Sequence, residues 1–449
     1  MLAFLKFQPS QSFQPRARGF LPLLLMSLLV HLGACDSSQE AATEESTNRT
    51  VTIMGVIVGE EQEKLEKALA PFEEATGIDV IYEGTDAFAT VLPIRVDSGN
   101  PPDIALFPQP GLMADLAREG KLTPITTFVD EADLKTAYTQ SWLDLGAVEG
   151  DIYGVWFQAA VKSLVWYRPD VFEAEGYQIP TTWDELVALT EKIAVSGKTP
   201  WCIGMESGSA TGWVGTDWVE DIMLRTTSPE TYDKWIRNDA PFTDSTVKQA
   251  FELFGEIALN PNYVRGGTVG ILSTSFGDAS TPLFDNPPGC YLHRQATFIE
   301  AFFPDGVDPN TDVDVFPLPT INADYGLPIL IAGDIFAMIN DTPEARSLMQ
   351  YLVTVEPHNI RARLGSYISP HRQVELSQYP DTLTQMQAEI LLNADVVRFD
   401  GSDMMPGAVG AGSFWMGMVD YIGGADLDTV LSSIQKSWPQ ELKEQPKSL

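Results

Sequence analysis

Residues 51–82, VTIMGVIVGEEQEKLEKALAPFEEATGIDVIY, decide the fold. The run 51–58 is short, apolar and rich in β-branched residues, which is typical of a buried strand. A glycine and two glutamates then open a helix with one apolar face, and Gly77 ends it. A second strand is predicted over 78–82. Because strand, helix and strand follow one another in this order, the stretch predicts a parallel sheet covered by helices.

The same alternation continues along the chain. After the breaker SGNPP at 98–102, a third strand is predicted over 103–107 and a short helix over 112–119. A capping box opens a helix predicted over 182–194, and a Thr-Pro pair opens one predicted over 342–352. Two α/β lobes that share strands across a hinge explain this order better than a row of separate domains.

Composition describes a folded, strongly acidic protein. The chain has 449 residues, 44% of them hydrophobic and 20% charged, with a formal charge of −34. Length alone suggests about two to three domains. The acidic balance argues against a nucleic-acid binder, which needs a basic face, and against adsorption to anionic lipid. A ligand that is neutral or cationic, or that is bound without help from net charge, is therefore expected.

The N-terminus has the pattern of an export signal. Three basic residues precede an apolar run over 19–32, which is too short to span a membrane as a helix. The run ends in LGAC, which resembles a bacterial lipoprotein signal. We therefore predict a signal peptide over 1–34, lipidation of Cys35 and a disordered tether over 35–50. An ordinary signal with an incidental cysteine is the alternative. The mature protein is expected in the periplasm or at the cell surface, anchored by lipid.

Two cysteines remain after Cys35, namely Cys202 and Cys290. In an oxidising compartment they can form a disulfide that closes a loop of about 90 residues. Turn residues flank each cysteine, which favours the disulfide over two separate buried thiols.

Motifs for catalysis or metal binding are weak. The GKT at 197–199 lacks the first glycine of a phosphate loop. The acidic segment 308–314 has the spacing of a calcium loop but lacks its glycine and its glutamate, so at most a weak cation site is expected there. No zinc motif and no serine elbow occur. We expect no catalytic residue, no metal and no cofactor, although abundant carboxylates keep an exported glycoside hydrolase as an alternative.

Aromatic residues carry the stronger functional pattern. Trp213, Asp217 and Trp218 lie together after glycines, and Trp415 lies in a second glycine-rich segment. Sugars present apolar C–H faces and a rim of hydroxyls, so they are bound by flat aromatic rings together with polar side chains. Core packing is the alternative, and it is the preferred interpretation for Trp183, Trp201 and Trp235.

Several segments together resemble one known family, the family 1 extracellular solute-binding proteins of ABC importers, the maltose-binding-protein-like group. The segments are GNPPDI at 99–104, YGVW at 153–156, KSLVWY at 162–167, PTTWDEL at 180–186, AGDIF at 332–336 and NDTPEA at 340–345. The resemblance implies an α/β fold like that of type II periplasmic binding proteins, with two α/β lobes joined by crossover hinge strands. The expected boundaries are 51–157 and 315–364 for the N-lobe, and 158–314 and 365–449 for the C-lobe.

Finer segments resemble the α-glucoside-binding branch of that family, namely WCIG at 201–204, ATGW at 210–213 and HRQA at 293–296. The residues that the resemblance implies at the ligand are Glu83, Gln109, Lys162, Trp213, Asp217, Trp218, Gly333, Asp334, Met405 and Trp415. The apolar sequence FPQPG at 107–111 departs from the polar residues of maltose-binding proteins. A small glucoside such as trehalose, sucrose, maltose or a glucosyl-polyol is therefore preferred to a maltodextrin.

The resemblance implies a receptor rather than an enzyme. It would close over a small neutral sugar by a hinge motion and deliver it to the transmembrane subunits of an ABC permease. We expect a monomer that meets the membrane only through its lipid anchor and binds no nucleic acid. A lipid-anchored adhesion or structural protein is the further alternative.

Overall fold

A computed structural model describes the protein over residues 49–394 and 396–439. The predicted signal peptide, Cys35 and nearly all of the predicted tether lie outside these residues. No helix in the described part of the chain is both long and apolar enough to cross a membrane.

The strands are β1 (Arg49–Gly55), β2 (Ile78–Gly84), β3 (Ile104–Phe107), β4 (Ala147–Val148), β5 (Asp151–Ile152), β6 (Gly154–Val161), β7 (Leu164–Tyr167), β8 (His293–Arg294), β9 (Asp314–Pro317), β10 (Ile329–Met338) and β11 (Val397–Phe399). The helices are α1 (Gly59–Thr76), α2 (Phe88–Asp97), α3 (Pro110–Arg118), α4 (Glu131–Ala137), α5 (Gln140–Leu145), α6 (Pro169–Glu175), α7 (Trp183–Val195), α8 (Trp213–Thr226), α9 (Pro229–Ile236), α10 (Ser245–Ala258), α11 (Gly267–Ser273), α12 (Pro343–Leu352), α13 (Val355–Arg363), α14 (Thr382–Asn393), α15 (Gly401–Met404), α16 (Trp415–Ile422) and α17 (Leu427–Lys436).

The opening β-α-β unit is as the sequence predicts. Strand β1 pairs in parallel with both β2 and β3, and α1 connects β1 to β2. Gly77 ends α1 in the left-handed conformation, with φ of 63°, which glycine adopts without a steric penalty. Thr182 and Glu185 form both hydrogen bonds of the capping box at α7. The Thr342 side chain caps α12.

Strand β10 organises the main sheet, whose order is β11-β10-β3-β1-β2 with β6 also paired to β10. It is antiparallel to β3 and β6 and parallel to β11. A second, antiparallel sheet has the order β8-β7-β9. Because β6 belongs to the first sheet and β7 to the second, the chain passes from one sheet to the other at Lys162 and Ser163.

Two large hydrophobic cores lie among the residues that the structure describes, and β7 and β9 contribute to both. The first packs α1, α2 and α3 against the main sheet, and the second packs α7, α8, α10, α16 and α17 together. The fold is α/β, with two lobes joined by crossover strands, as in type II periplasmic binding proteins.

The first core extends further along the chain than the boundary expected at residue 364. Tyr367, Tyr379 and Phe399 belong to the first core, whereas Met405 belongs to the second. The reason is that β11 adds to the main sheet beside β10. We therefore propose that the last passage between the lobes lies near residue 400.

Cys202 and Cys290 form a disulfide in the structure, and the two residues are 88 positions apart in sequence. The bond joins the segment before α8 to the segment before β8. Backbone hydrogen bonds already connect these two segments, since the amide of Cys202 donates to the carbonyl of Leu292. The disulfide therefore reinforces an existing contact between these two segments.

Replacing both cysteines by alanine should lower the free energy of unfolding by about 4 kcal/mol, because the unfolded chain regains the freedom of the long loop. Urea denaturation followed by circular dichroism measures the loss. Wild-type protein with and without reductant is the control, and the double variant should not respond to reductant. Equal stability of the wild type in both conditions would contradict the role given to the bond.

Candidate ligand-binding cavity

A cavity of about 400 Å³ lies where the strands of the main sheet end. The segments after β1, β2 and β3 line one side of it. In open α/β sheets the carboxyl ends of parallel strands are where ligands bind. The lining from this side consists of Val56, Ile57, Val58, Glu61, Asp86, Phe88, Ala89, Pro108 and Gln109.

The floor of the cavity is formed by β10 and by β6 with the residue that follows it. Gln158, Ala160 and Lys162 reach the cavity because alternate residues of an extended chain face the same side. Gly333 and Asp334 line it from β10. A Cβ atom at Gly333 would lie 2.5 Å from the carbonyl oxygen of Gln158, so glycine permits the close approach of the two strands.

Lys162 is buried and surrounded by carboxylates. Its Nζ atom lies 2.8 Å from Asp217, 2.6 Å from Asp400 and 3.9 Å from Asp403. Burial lowers the pKa of Lys162, but the three carboxylates outweigh burial and hold this pKa well above its ordinary value. The ammonium group is therefore charged at neutral pH and joins β6 to α8 and to α15.

Two carboxyl groups of the cavity titrate in an unusual range. Burial raises the pKa of Asp334 to about 7, against the attraction of Lys162. Burial also raises the pKa of Asp217 to about 7, while Lys162 lowers it and Asp400 raises it. In contrast, Lys162 overcomes burial at Asp400 and lowers its pKa to about 2. The cavity therefore contains both ionised and readily protonated carboxyl groups.

Aromatic rings line the side of the cavity that the second lobe contributes. Trp213 packs against Phe276 and Phe298, with ring centroids 5.1 and 5.9 Å away. Lys162 Nζ lies 5.3 Å from the centroid of the Trp213 ring. Trp415 lines the same cavity and is 5% exposed. This side combines flat apolar surface with the charged floor.

Three polar atoms of lining residues have no hydrogen-bond partner among residues 49–394 and 396–439. They are Oε1 of Gln109, Oδ2 of Asp217 and Nε1 of Trp415. Buried polar groups without partners cost free energy, which a bound ligand can recover. One donor and two acceptors are suited to a ligand with hydroxyl groups.

Seven of the residues that the sequence implied at the ligand line this one cavity: Gln109, Lys162, Trp213, Asp217, Gly333, Asp334 and Trp415. The structure does not bring the other three to it. Glu83 is exposed on β2 and pairs with Arg95 at 2.6 Å. Trp218 follows Asp217 on α8 and therefore points into the second core, where it stacks on Phe254. Met405 is 1% exposed in the same core.

Several lining residues were missed by the sequence analysis. Gln158 had a sequence cue, because it lies four positions before Lys162 and an extended chain places both side chains on the same face. Asp403 and Phe298 had none, since they come from segments that the tertiary structure alone brings to the cavity. Further lining residues are Ser207, Ser209, Ala210, Phe276, Ala301, Phe302, Ala332 and Ser402.

The acidic segment at 308–314 is closed by hydrogen bonds among its own residues. Asp308 accepts hydrogen bonds from the backbone and the side chain of Asn310, and Asp312 accepts one from the backbone of Asp308. Within residues 49–394 and 396–439, no group of three or more His, Cys, Asp or Glu side chains could hold a metal ion.

These features define a solute receptor with a two-lobed α/β fold. A family model described as bacterial extracellular solute-binding protein matches residues 58–357. The chain belongs to this family.

Two relatives match over most of their length. The osmoprotective compounds-binding protein GgtB of Synechocystis sp. is 60% identical over 417 residues, which cover 93% of this chain and 98% of the relative. The alpha-glucosides-binding periplasmic protein AglE of Rhizobium meliloti is 45% identical over 398 residues, which cover 87% of each chain.

Solved structures share the fold. The bacterial solute receptor AcbH has a TM-score of 0.76 at 19% identity, and the match covers 87% of this chain and 98% of that one. Maltose-bound MalE3 of T. maritima has a TM-score of 0.69 at 18% identity, with 88% and 99% covered.

Stability should depend on pH through Asp334. The folded protein keeps a proton on this carboxyl group up to about pH 7, whereas the unfolded chain releases it near pH 4. Between these values the folded state binds more protons, so the free energy of unfolding falls as the pH rises. Asp334→Asn should remove about 1–3 kcal/mol of this fall.

Urea denaturation of the ligand-free protein at pH 4.5 and pH 8 measures the effect, where these two values are about the limits of the titration. Asp79→Asn, which changes an exposed carboxylate on β2, is the matched control and should keep the wild-type dependence. A variant at Asp334 with the full wild-type dependence would refute the assignment.

Proposed function

We propose that the protein is the sugar receptor of an ABC importer and that its ligand is a small neutral α-glucoside, such as trehalose, sucrose, maltose or a glucosyl-polyol. It binds the sugar by hinge closure and delivers it to the transmembrane subunits of the permease. It performs no chemistry on the ligand. A lipid on Cys35 would anchor it outside the cytoplasmic membrane.

The combination of aromatic rings and unpartnered polar atoms in one cavity carries this proposal. Trp213 and Trp415 offer surface to the C–H faces of a sugar. Gln109 and Asp217 offer acceptors to its hydroxyl groups, and the indole Nε1 of Trp415 offers a donor. A volume of about 400 Å³ is near the lower end for ligand sites, which supports a small ligand over a maltodextrin.

The relatives support the same ligand class. One is named for osmoprotective compounds and the other for alpha-glucosides. A glucosyl-polyol or a small non-reducing disaccharide satisfies both descriptions, because it is an α-glucoside without charge. Net charge plays no part in recognising such a ligand.

Trp415→Ala and Trp213→Ala should each weaken sugar binding by about 1–3 kcal/mol, because each removes apolar surface that the sugar covers. Isothermal calorimetry with a panel of α-glucosides measures the loss. Trp235→Phe, in the second core and away from the cavity, is the control and should keep wild-type affinity.

The absence of heat with every mono- and disaccharide of the panel would refute the sugar assignment. Chromatography of the sugar after incubation distinguishes a receptor from a hydrolase, and we expect it to be recovered intact.

Binding should also make the protein more compact. We expect the radius of gyration measured by small-angle X-ray scattering to fall when a bound sugar closes the lobes. Trp415→Ala at the same sugar concentration is the control and should respond less. An unchanged radius at saturation would contradict hinge closure.

A further inference from the structure

One face of α8 runs from the cavity into the protein interior. Trp213, Asp217, Asp221 and Arg225 occur every fourth residue and therefore lie along one side of the helix. The first two line the cavity. Asp221 and Arg225 are fully buried. The face thus connects side chains that line the cavity with charged side chains that are buried beyond it.

Arg225 binds the segment between β9 and β10. Its guanidinium donates hydrogen bonds to the carbonyl oxygens of Leu318, Pro319 and Pro328 at 2.9, 3.2 and 3.0 Å. It also donates to the Asp221 carboxylate. This segment is one of the passages between the lobes. The hydrogen bonds of Arg225 therefore hold α8 against a segment that would move when the lobes close.

Asp221 binds a second passage, the one between β6 and β7. It accepts a hydrogen bond of 2.7 Å from the hydroxyl of Ser163, which follows Lys162 between β6 and β7. The same hydroxyl accepts from the backbone amide of Leu330 at 2.8 Å. Asp221 therefore contacts the β6–β7 passage directly and reaches β10 only through the Ser163 hydroxyl.

Arg294 lies between Asp217 and Asp221. Its Nη2 donates to Asp221 at 2.9 Å, and its Nη1 lies 3.9 Å from the Oδ2 of Asp217. Neither Nη1 nor this Oδ2 has a hydrogen-bond partner in the part of the chain that the structure describes. The guanidinium carbon lies 5.5 Å from the centroid of the Trp218 ring, which restrains the side chain.

The backbone of Arg294 is held on both sides. In β8 it pairs with Val165 of β7, and the Trp166 indole donates to the carbonyl of Gln295 at 2.8 Å. Four residues earlier lies Cys290 of the disulfide. The guanidinium is therefore presented from a fixed position.

We propose that Arg294 is a positioning residue that orients the carboxylate of Asp217 for the ligand and, through Asp221, couples it to the two crossover segments. This rests on the proposed function, because it takes Asp217 as a ligand contact. It also gives a role to the segment at 293–296, which lines no part of the cavity.

Charge explains why an arginine is needed. The groups that face Asp217 are Lys162 after β6, Asp400 and Asp403 at α15, Arg294 on β8 and Glu220 on α8 itself. Three carboxyl groups and two cations thus surround one carboxylate. Without Arg294, only Lys162 would balance the acidic groups.

The direct test is the titration of Asp217 in the ligand-free protein, followed by carbon NMR of labelled aspartate and assigned with Asp217→Asn. Arg294→Gln should move the midpoint to higher pH by about one pH unit, because a nearby cation is lost. Asp221→Asn keeps the shape of the side chain but removes a negative charge, so it should move the midpoint to lower pH.

Calorimetry adds the functional readout. Because an ionised carboxylate is the stronger acceptor of hydroxyl hydrogen bonds, sugar affinity should rise with pH through the same midpoint. Arg294→Gln should weaken binding at pH 7 about tenfold. Arg294→Lys should recover part of the loss.

Arg225→Gln is the matched control, since it removes a buried arginine of the same network that does not face Asp217. It should lower stability and leave the titration of Asp217 in place. The inference is overturned if Arg294→Gln and Arg225→Gln have the same effect on the titration midpoint of Asp217. It is also overturned if Asp221→Asn leaves this midpoint unchanged. Should Arg294→Gln not fold, the isosteric Asp221→Asn decides the question. Failure of the wild type to bind any sugar would remove the proposed function, whereas the NMR titration would still decide whether Arg294 controls Asp217.

Discussion

The ammonium group of Lys162 lies at the end of β6, where the chain leaves the first sheet, and is almost inaccessible to water. A buried cation is tolerated only when carboxylates compensate for the lost hydration. Asp217 and Asp400 provide this compensation, and they are 55 and 238 positions away in sequence. Because both must be present, the ion pairs hold α8 and α15 against β6 and fix the floor of the cavity.

The rest of the site follows from this arrangement. Once α8 is held by Asp217, Trp213 one turn earlier faces the cavity, and Asp221 and Arg225 later on the same face meet the crossover segments. The surplus of buried carboxyl groups then has a predictable consequence. Lys162 keeps Asp400 ionised, whereas burial raises the pKa of Asp217 and Asp334 to about 7. The acidic residues therefore fall into two groups. Those on the surface keep it solvated, whereas a few buried carboxyl groups at the cavity differ in pKa.

Local sequence patterns predicted the architecture well because they act over short distances. The capping box at Thr182, the glycine at the end of α1 and the apolar strands need only their neighbours to be recognised. The residues of the cavity were harder to predict. Trp213 and Asp217 were recognised by their glycine-rich context, but adjacent Trp218 was not separated from them, since one residue along a helix rotates the side chain by about 100° and sends it into the core. Glu83 was also predicted at the ligand, but the alternation of side chains along β2 points it outward, away from the cavity.

By itself, the sequence determined an acidic chain with a parallel α/β opening, a family resemblance and aromatic residues suited to a sugar. Those properties depend on composition and on contacts between near neighbours. Only the tertiary structure decided which residues share the cavity and how Arg294 is placed beside Asp217. Each of these depends on segments far apart in the chain, and their meeting is governed by burial and by the pairing of buried charges, which no local pattern contains.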